Sequence, residues 1–254
     1  MGKRSNTILG VDIGGSGVKG APVNVKKGEM KTERFRIPTP QPATPQAVAE
    51  TVAAIADEYD WDGPIGCTVP SRVRDGVTET ASNIDEAWIG CKAAKLLRKT
   101  TGSPVAILND ADAAGIAEVQ FGAGRKKKGT ILLLTFGTGI GSALFIDGHL
   151  VPNTEFGHVR WDDKRIAEKF AADSIRQSDH LTWVRWAERR VQPVLEHYEF
   201  ILAPDLIIIG GGVSKPERWK EFSPKLKTNA KLRPAKLGND AGIIGAAYHA
   251  RSLQ

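Results

Sequence analysis

A chain of 254 residues is enough for one large or two modest domains. At 41% hydrophobic and 25% charged residues, its composition excludes a disordered or fibrous protein, and no run of about 18 apolar residues is available for a membrane-spanning helix. The net charge of +6 suits an anionic partner such as nucleic acid or a phosphate compound, although a mildly basic surface is common without one.

The basic start MGKRSN is followed by no apolar signal segment. Two cysteines, Cys67 and Cys91, cannot build a disulfide framework and fit a reducing cytoplasm. Residues 7–13 predict a strand, and Val18–Val25 a second one running back from the turn GGSG. Lys26–Gly28 reads as another turn. The four prolines of Ile37–Pro45 require an extended connector. Gln46–Tyr59 carries apolar residues at 48, 52, 55 and 56, a helical spacing. There follow a short buried strand in PIGCTVP, a basic-faced helix in CKAAKLLRKT, a strand in PVAILND and a helix in ADAAGIAEVQFG. Gly129–Val151 again reads strand, glycine turn, strand. Leu181–Ile201 predicts a long helix despite Pro193. PDLIIIGGGVS is a buried strand running into glycines, and DAGIIGAAYHA a small-residue helix.

Two of these pieces repeat. TILGVDIGGSGVKG, from Thr7, matches TILLLTFGTGIGSA, from Thr130, without a gap, Gly14 falling on Gly137. The pieces lie about half a chain apart, so two related lobes are expected.

A glycine turn between strands lets backbone approach a ligand closely and can aim N–H groups at an anion. Gly14, Gly15, Ser16 and Gly17 would form one phosphate turn; Gly137, Thr138, Gly139 and Gly141 the other. Lys19 can add positive charge, and Asp12 suits a hydrated Mg²⁺. Either turn alone reads equally well as a tight hairpin; the pair favours phosphate. Neither is a Walker A or dinucleotide fingerprint. The glycines after DLIIIG, Gly211 and Gly212 among them, could flank a nucleotide.

In LNDADAAG, Asn109 and Asp110 end a strand and begin a helix. A carboxylate there can take a proton from an attacking hydroxyl, and both residues equally suit an N-cap; sequence alone leaves the two readings level. In NTEFGH, Glu155 and His158 suit hydrogen bonds to sugar hydroxyls. A surface loop or half a metal site would use the same residues, but no cysteine follows Cys91, so zinc is not expected.

With these motifs in this order, the chain resembles the ROK group of sugar kinases and repressors, and within it the glucokinases that use inorganic polyphosphate beside ATP. VDIGGSGVKG, TPQPATP, ILNDADAAG, LLTFGTGIGSA, PNTEFGH and GIIGAA carry the resemblance, which covers nearly the whole chain. It implies an α/β, actin-like, ribonuclease-H-like fold of two lobes with the active site in the cleft between them. The small lobe would span 1–108 and the large lobe 109–240, with a helix at about 241–254 packing back on the small one. The resemblance also implies phosphoryl transfer from polyphosphate or ATP to the 6-hydroxyl of glucose, and of mannose with it. Asp110 matches the family's base, and Asn109, Glu155 and His158 its sugar ligands. Glu168 and Asn83 fall where further sugar contacts are expected. Asp12 to Lys19 and Gly137 to Gly139 match its phosphate motifs. Mg²⁺ is the implied cofactor and a homodimer the implied assembly, with neither nucleic acid nor membrane as partner.

Two departures stand out. Most of the family carries a cysteine-rich zinc motif after the GH; here GHVRWDDKRIAEKF holds no cysteine, so the loop bearing His158 is expected to be fixed by packing alone. Many members have Pro-Gly where this chain has Pro70-Ser71. A sugar-responsive repressor is the main alternative, with a strictly ATP-dependent glucokinase beside it. The family's repressors carry a helix-turn-helix ahead of the first phosphate strand, for which no room is expected here. Basic residues also bunch in Arg125–Lys128 and across Lys215–Lys236, where eight Lys or Arg face two Glu. They would suit a track for a long polyanion, or simply a solvated face.

Overall fold

The computed structural model describes residues 6–253; the basic start Met1–Ser5 lies outside them. The chain forms two compact units, one of residues up to Ala117 together with those from Asp240 onward, the other of Glu118–Asn239.

The first unit begins with β1 (Thr7–Ile13), β2 (Val18–Asn24), β3 (Glu29–Met30) and β4 (Phe35–Ile37). Then come α1 (Pro45–Glu58), β5 (Ile65–Val69), the small hairpin β6 (Val73–Arg74) and β7 (Val77–Thr78), α2 (Ala93–Thr101), β8 (Val105–Asn109) and the start of α3 (Asp110–Gln120). The main sheet runs β3-β2-β1-β5-β8, with β4 also on β2. β1 is buried except at Thr7 and Asp12, and β5 throughout, as strands covered on both faces require. The Thr44 side chain caps α1 with Pro45 in its first turn, and Gly102 closes α2 in the left-handed conformation. The core packs Val48, Val52 and Ile55 of α1 and Leu97 of α2 onto Leu9, Val11, Ile65 and Cys67 of the sheet.

The second unit holds β9 (Thr130–Phe136), β10 (Ile140–Ile146), β11 (His149–Val151), α4 (Ala167–Ala171), α5 (Asp173–Ser178) and α6 (Trp183–Trp186). A π turn over Ala187–Val191 leads into α7 (Gln192–Leu202), then β12 (Leu206–Gly210), α8 (Pro216–Phe222) and β13 (Lys231–Pro234). The π turn explains how the long helix tolerates Pro193: the ring falls in the first turn of α7, where its missing N–H is not needed. The sheet order is β11-β10-β9-β12-β13. Its core joins Leu132, Leu134, Ile207 and Ile209 to Trp186, Val194, Leu195, Tyr198 and Phe222. The chain then returns to the first unit as α9 (Ala241–His249), which lies so close to β1 and β5 that a Cβ at Gly10 or Gly66 would stand 2.1 or 1.9 Å from its carbonyls.

The two sheets share one plan: an antiparallel hairpin (β1–β2, β9–β10), then two parallel neighbours (β5 and β8, β12 and β13). β1 and β9 even share one burial pattern. The gapless sequence match slips at the turn. Ile13 pairs with Val18, but Phe136 pairs with Ile140, so the second turn is one residue shorter. Asp12 and Lys19, partners across the first hairpin, thus correspond to Thr135 and Gly141 in the second. Only the first unit keeps the acid and the lysine.

The break between units falls further along the chain than Leu108–Asn109. β8 pairs with β5, and α9 packs against it, so Asn109 and Asp110 stay in the first unit.

Candidate active site

In each unit the chemistry gathers where the parallel strands end, the usual ligand edge of an α/β sheet. In the first unit, Asp12 Oδ1 accepts a 2.7 Å hydrogen bond from the Thr68 hydroxyl on β5, and Oδ2 lies 3.8 Å from Lys19 Nζ. The turn that follows is closed by the Gly14 N–H on the Gly17 carbonyl at 3.2 Å. The Thr39 hydroxyl donates to the Gly14 carbonyl, and the Arg36 guanidinium to that of Ser16 at 2.8 Å. Nothing in the local sequence marks Thr39, in the proline-rich connector, or Arg36, just before it; only the pairing of β4 with β2 brings them to the turn. Asn83 also comes here. Its carbonyl would stand 2.9 Å from a Cβ at Gly15. No glycine in either turn has positive φ, so the turns use the missing side chain rather than left-handed backbone.

Asn109 caps α3: its Oδ1 accepts from the N–H groups of Ala111 and Asp112 at 2.8 and 3.1 Å. Its Nδ2 donates to the Ser71 carbonyl at 3.2 Å. Ser71 is buried; its hydroxyl donates to the Arg72 carbonyl and accepts from the Thr80 N–H. The residue therefore ties the bend between β5 and β6 to the segment after β7 while its carbonyl holds the Asn109 amide. Asp110 is exposed at the first position of α3, with Oδ1 2.8 Å from the Ala111 nitrogen.

In the second unit, Gly137 to Gly139 close by a 3.0 Å hydrogen bond between the Gly137 N–H and the Gly139 carbonyl. Ser174 supports the turn from α5, its N–H on the Gly137 carbonyl and its hydroxyl on that of Thr138. Glu168 lies against the same turn, its Oε2 2.4 Å from where a Gly139 Cβ would be. Gly211, at φ 83°, fits under the Phe136 carbonyl, which puts the third glycine turn beside the second phosphate turn. The Gly212 carbonyl accepts from Arg218 at 2.8 Å.

Glu155 and His158 stand together, Oε2 and Nδ1 3.1 Å apart, at the rim of a short 3₁₀ turn. A Cβ at Gly157 would stand 2.0 Å from the Ile140 carbonyl, so only glycine lets this loop lie flush on β10. The Ser142 hydroxyl bridges the Thr154 carbonyl and the Phe156 N–H at 2.6 and 2.9 Å. The buried Tyr198 hydroxyl donates to the Phe156 carbonyl; burial raises its phenol above the ordinary range, keeping it a donor.

Packing alone does not fix the loop after His158. Asp162 accepts from the N–H groups of Lys164 and Arg165 and from the Arg165 guanidinium, which together hold its carboxyl below the usual range. Trp161 stacks on Phe170 at 4.7 Å, and the guanidinium groups of Arg165 and Arg190 lie over the Phe170 ring. Hydrogen bonds, an ion pair and an aromatic stack thus hold the stretch that follows His158. Among the described residues no cluster of three or more His, Cys, Asp or Glu could hold a metal ion, and no helix is long and apolar enough to cross a membrane.

The comparisons agree with this geometry. Residues 8–171 match the model of the ROK family. The chain is 47% identical over 241 residues to polyphosphate glucokinase of Mycobacterium tuberculosis (strain CDC 1551), covering 94% of this chain and 89% of that protein. The crystal structure of the inorganic polyphosphate/ATP-glucomannokinase of Arthrobacter sp. strain KM superposes with a TM-score of 0.91 at 43% identity, covering 98% of this chain and all of that one. A ROK family glucokinase from Streptomyces griseus, at 24% identity and TM-score 0.78 over 97% of this chain and 99% of that one, shares the fold. Duplicated sheets that each end in a glycine turn, a family match over well over half the chain and relatives alike over nearly all of it lead to one statement: the chain belongs to the ROK family.

Proposed function

We propose that this protein is a hexose kinase that moves a phosphoryl group from ATP or inorganic polyphosphate to the 6-hydroxyl of glucose, and of mannose, in the cytoplasm as a homodimer. One observation carries the reading. The duplicated hairpins end in glycine turns at equivalent places, and each unit carries beside its own turn polar groups suited to a sugar: Asn109 and Asp110 in the first unit, Glu155 and His158 in the second. The similarity to a polyphosphate glucokinase and to a polyphosphate/ATP-glucomannokinase, each above 40% identity, supports the donor and acceptor.

Phosphoryl transfer leaves little covalent work to the protein beyond positioning and charge neutralisation. Gly14–Gly17 and Gly137–Gly139 would carry donor phosphates, with Lys19 adding charge and Gly211 and Gly212 flanking the nucleoside. Glu155, His158, Asn109, Glu168 and Asn83 would hold sugar hydroxyls. The Glu155–His158 contact fixes the imidazole so that its other nitrogen is presented. Asn109 keeps one Nδ2 hydrogen for the sugar after capping α3 and binding Ser71. Asp110 would accept the hydroxyl proton as the oxygen attacks phosphorus.

Asp12 fits Mg²⁺ held through water: one carboxylate, partly exposed, already oriented by Thr68. When bound, the ion would neutralise donor phosphate charge. The residues after His158 do not fit zinc.

A coupled assay for hexose 6-phosphate, with glucose or mannose against ATP or polyphosphate, tests the reading. Phosphorylation of glucose with Mg²⁺ is expected. No transfer from either donor would overturn it, and transfer from ATP alone would leave the strictly ATP-dependent alternative.

A further inference from the structure

Arg36 lies on β4 directly opposite Lys19 of β2. Like charges facing each other across a strand pair are destabilising. Lys19 is offset by Asp12. Two residues before Arg36, Arg34 is neutralised by Asp240 at 2.6 Å. Arg36 has no such relief: among the described residues no carboxylate pairs with it. Its Nη2 donates to the Ser16 carbonyl at 2.8 Å, and its Nε lies 2.6 Å from where a Gly17 Cβ would stand. Asp12, Lys19 and Arg36 together leave one uncompensated positive charge on the first glycine turn. The guanidinium is exposed, and one nitrogen anchors it while its other donors remain available. A cation fixed to a phosphate turn by a backbone carbonyl, and repelled by its cross-strand neighbour, is arranged for an anion that removes the repulsion.

We propose that Arg36 is a ligand of the phosphate donor, binding non-bridging oxygens of a condensed phosphate chain seated on Gly14–Gly17. The inference rests on the kinase reading and deepens it. The shared chemistry is that of a phosphoanhydride chain, whether the triphosphate of ATP or inorganic polyphosphate. A planar guanidinium held at one nitrogen can meet two phosphate oxygens with its free edge, which an ammonium cannot.

The test compares Arg36→Gln and Arg36→Lys with the parent chain. Steady-state kinetics would use ATP and long-chain polyphosphate in turn, and thermal melting would confirm that each variant is folded. Separately, inorganic tripolyphosphate would be titrated calorimetrically without sugar. Arg36→Gln is expected to raise donor KM and weaken tripolyphosphate by about tenfold or more, while glucose KM stays within about twofold. Arg36→Lys should recover part of the loss. A loss confined to one donor supports the ligand and names the source of the phosphate chain. Unchanged donor KM together with unchanged tripolyphosphate binding would overturn the proposal, as would equal rises in donor and glucose KM, which would mark a merely structural residue. If the parent chain transfers no phosphate at all, the kinase reading fails, and the tripolyphosphate titration still decides Arg36.

Discussion

Asp110 and Asn109 are adjacent, yet their side chains do different work. The Asn109 oxygen takes the N–H groups of Ala111 and Asp112 and its amide nitrogen ties the Ser71 carbonyl, while the exposed carboxylate of Asp110 shares only the Ala111 N–H through one oxygen. If Asp110 is the base, Asp110→Asn should keep the fold and sugar binding while lowering turnover by about two to four orders of magnitude. Stopped-time assays beside glucose titrations would show this, and near-normal turnover would remove the assignment. The cysteines give a second check at this scale. Burial pushes the Cys67 thiol up to about 12, whereas Cys91 is raised by partial burial and stays reachable. Since the thiolate is the nucleophile, a maleimide at pH 8 should label Cys91 alone in the folded protein and both cysteines in urea. Labelling of Cys67 without denaturant would contradict the fold. Asp12, Asp110, Glu155 and His158 could be singled out as candidates from sequence because each sits in a dense local motif. Arg36, Thr39, Ser71 and Tyr198 could not, because each acts on a residue far away in the chain through backbone carbonyls that no motif records.

At the scale of elements, strands with long apolar runs were legible, and so were helices with a clear apolar spacing. Missed were β3, β4, the β6–β7 hairpin and β13, all short, and β13 reads as a charged loop ending in proline. Their pairing comes from neighbours already in place, which overrides weak local preference. The loop carrying His158 shows why such detail matters. Its order comes from Ser142, Tyr198, Asp162 and the Trp161–Phe170 stack. Asp162→Ala should loosen the loop and raise glucose KM several-fold with donor KM nearly unchanged, since it removes the acceptor of two backbone N–H groups and an ion pair that is weakened by exposure to solvent. The lowered pKa of Asp162 gives the sign with pH. Its support is present above the ordinary carboxylate pKa and is lost as pH falls through the lowered value. Glucose affinity should therefore hold from neutral pH down to about pH 4 as far as this group is concerned. Protein passed over a chelating resin and still folded should carry no zinc by elemental analysis; a stoichiometric zinc that survives would show that other residues replace the missing cysteines.

At the scale of the whole molecule, the duplication seen in sequence is the plan of both sheets, but the one-residue difference between the turns was invisible until the strands were paired. Charge is not duplicated. Both basic runs lie in the second unit, and structure relates them in a way the sequence could not. The buried Glu118 carboxylate accepts from the N–H of Ala123 and from those of Lys236 and Leu237, each at 2.7 Å, and Arg233 reaches the Ala123 carbonyl. The loop bearing Lys126, Lys127 and Lys128 is thereby tied to the segment after β13, and those three lysines are exposed together with Lys231 and Lys236. A nucleotide needs only a few cations at its phosphates. A long polyanion that follows such a surface releases counterions at each neutralised phosphate, so its affinity should fall steeply with salt. Between 50 and 200 mM salt, apparent affinity for long-chain polyphosphate should drop by about tenfold or more, and that for ATP much less. Replacing Lys126, Lys127 and Lys128 together with Gln should flatten the polyphosphate slope and raise its KM while largely sparing ATP. Equal losses for both donors would mean that the lysines act at the phosphates common to both, and a polyphosphate KM indifferent to salt would mean that the basic surface is only solvated.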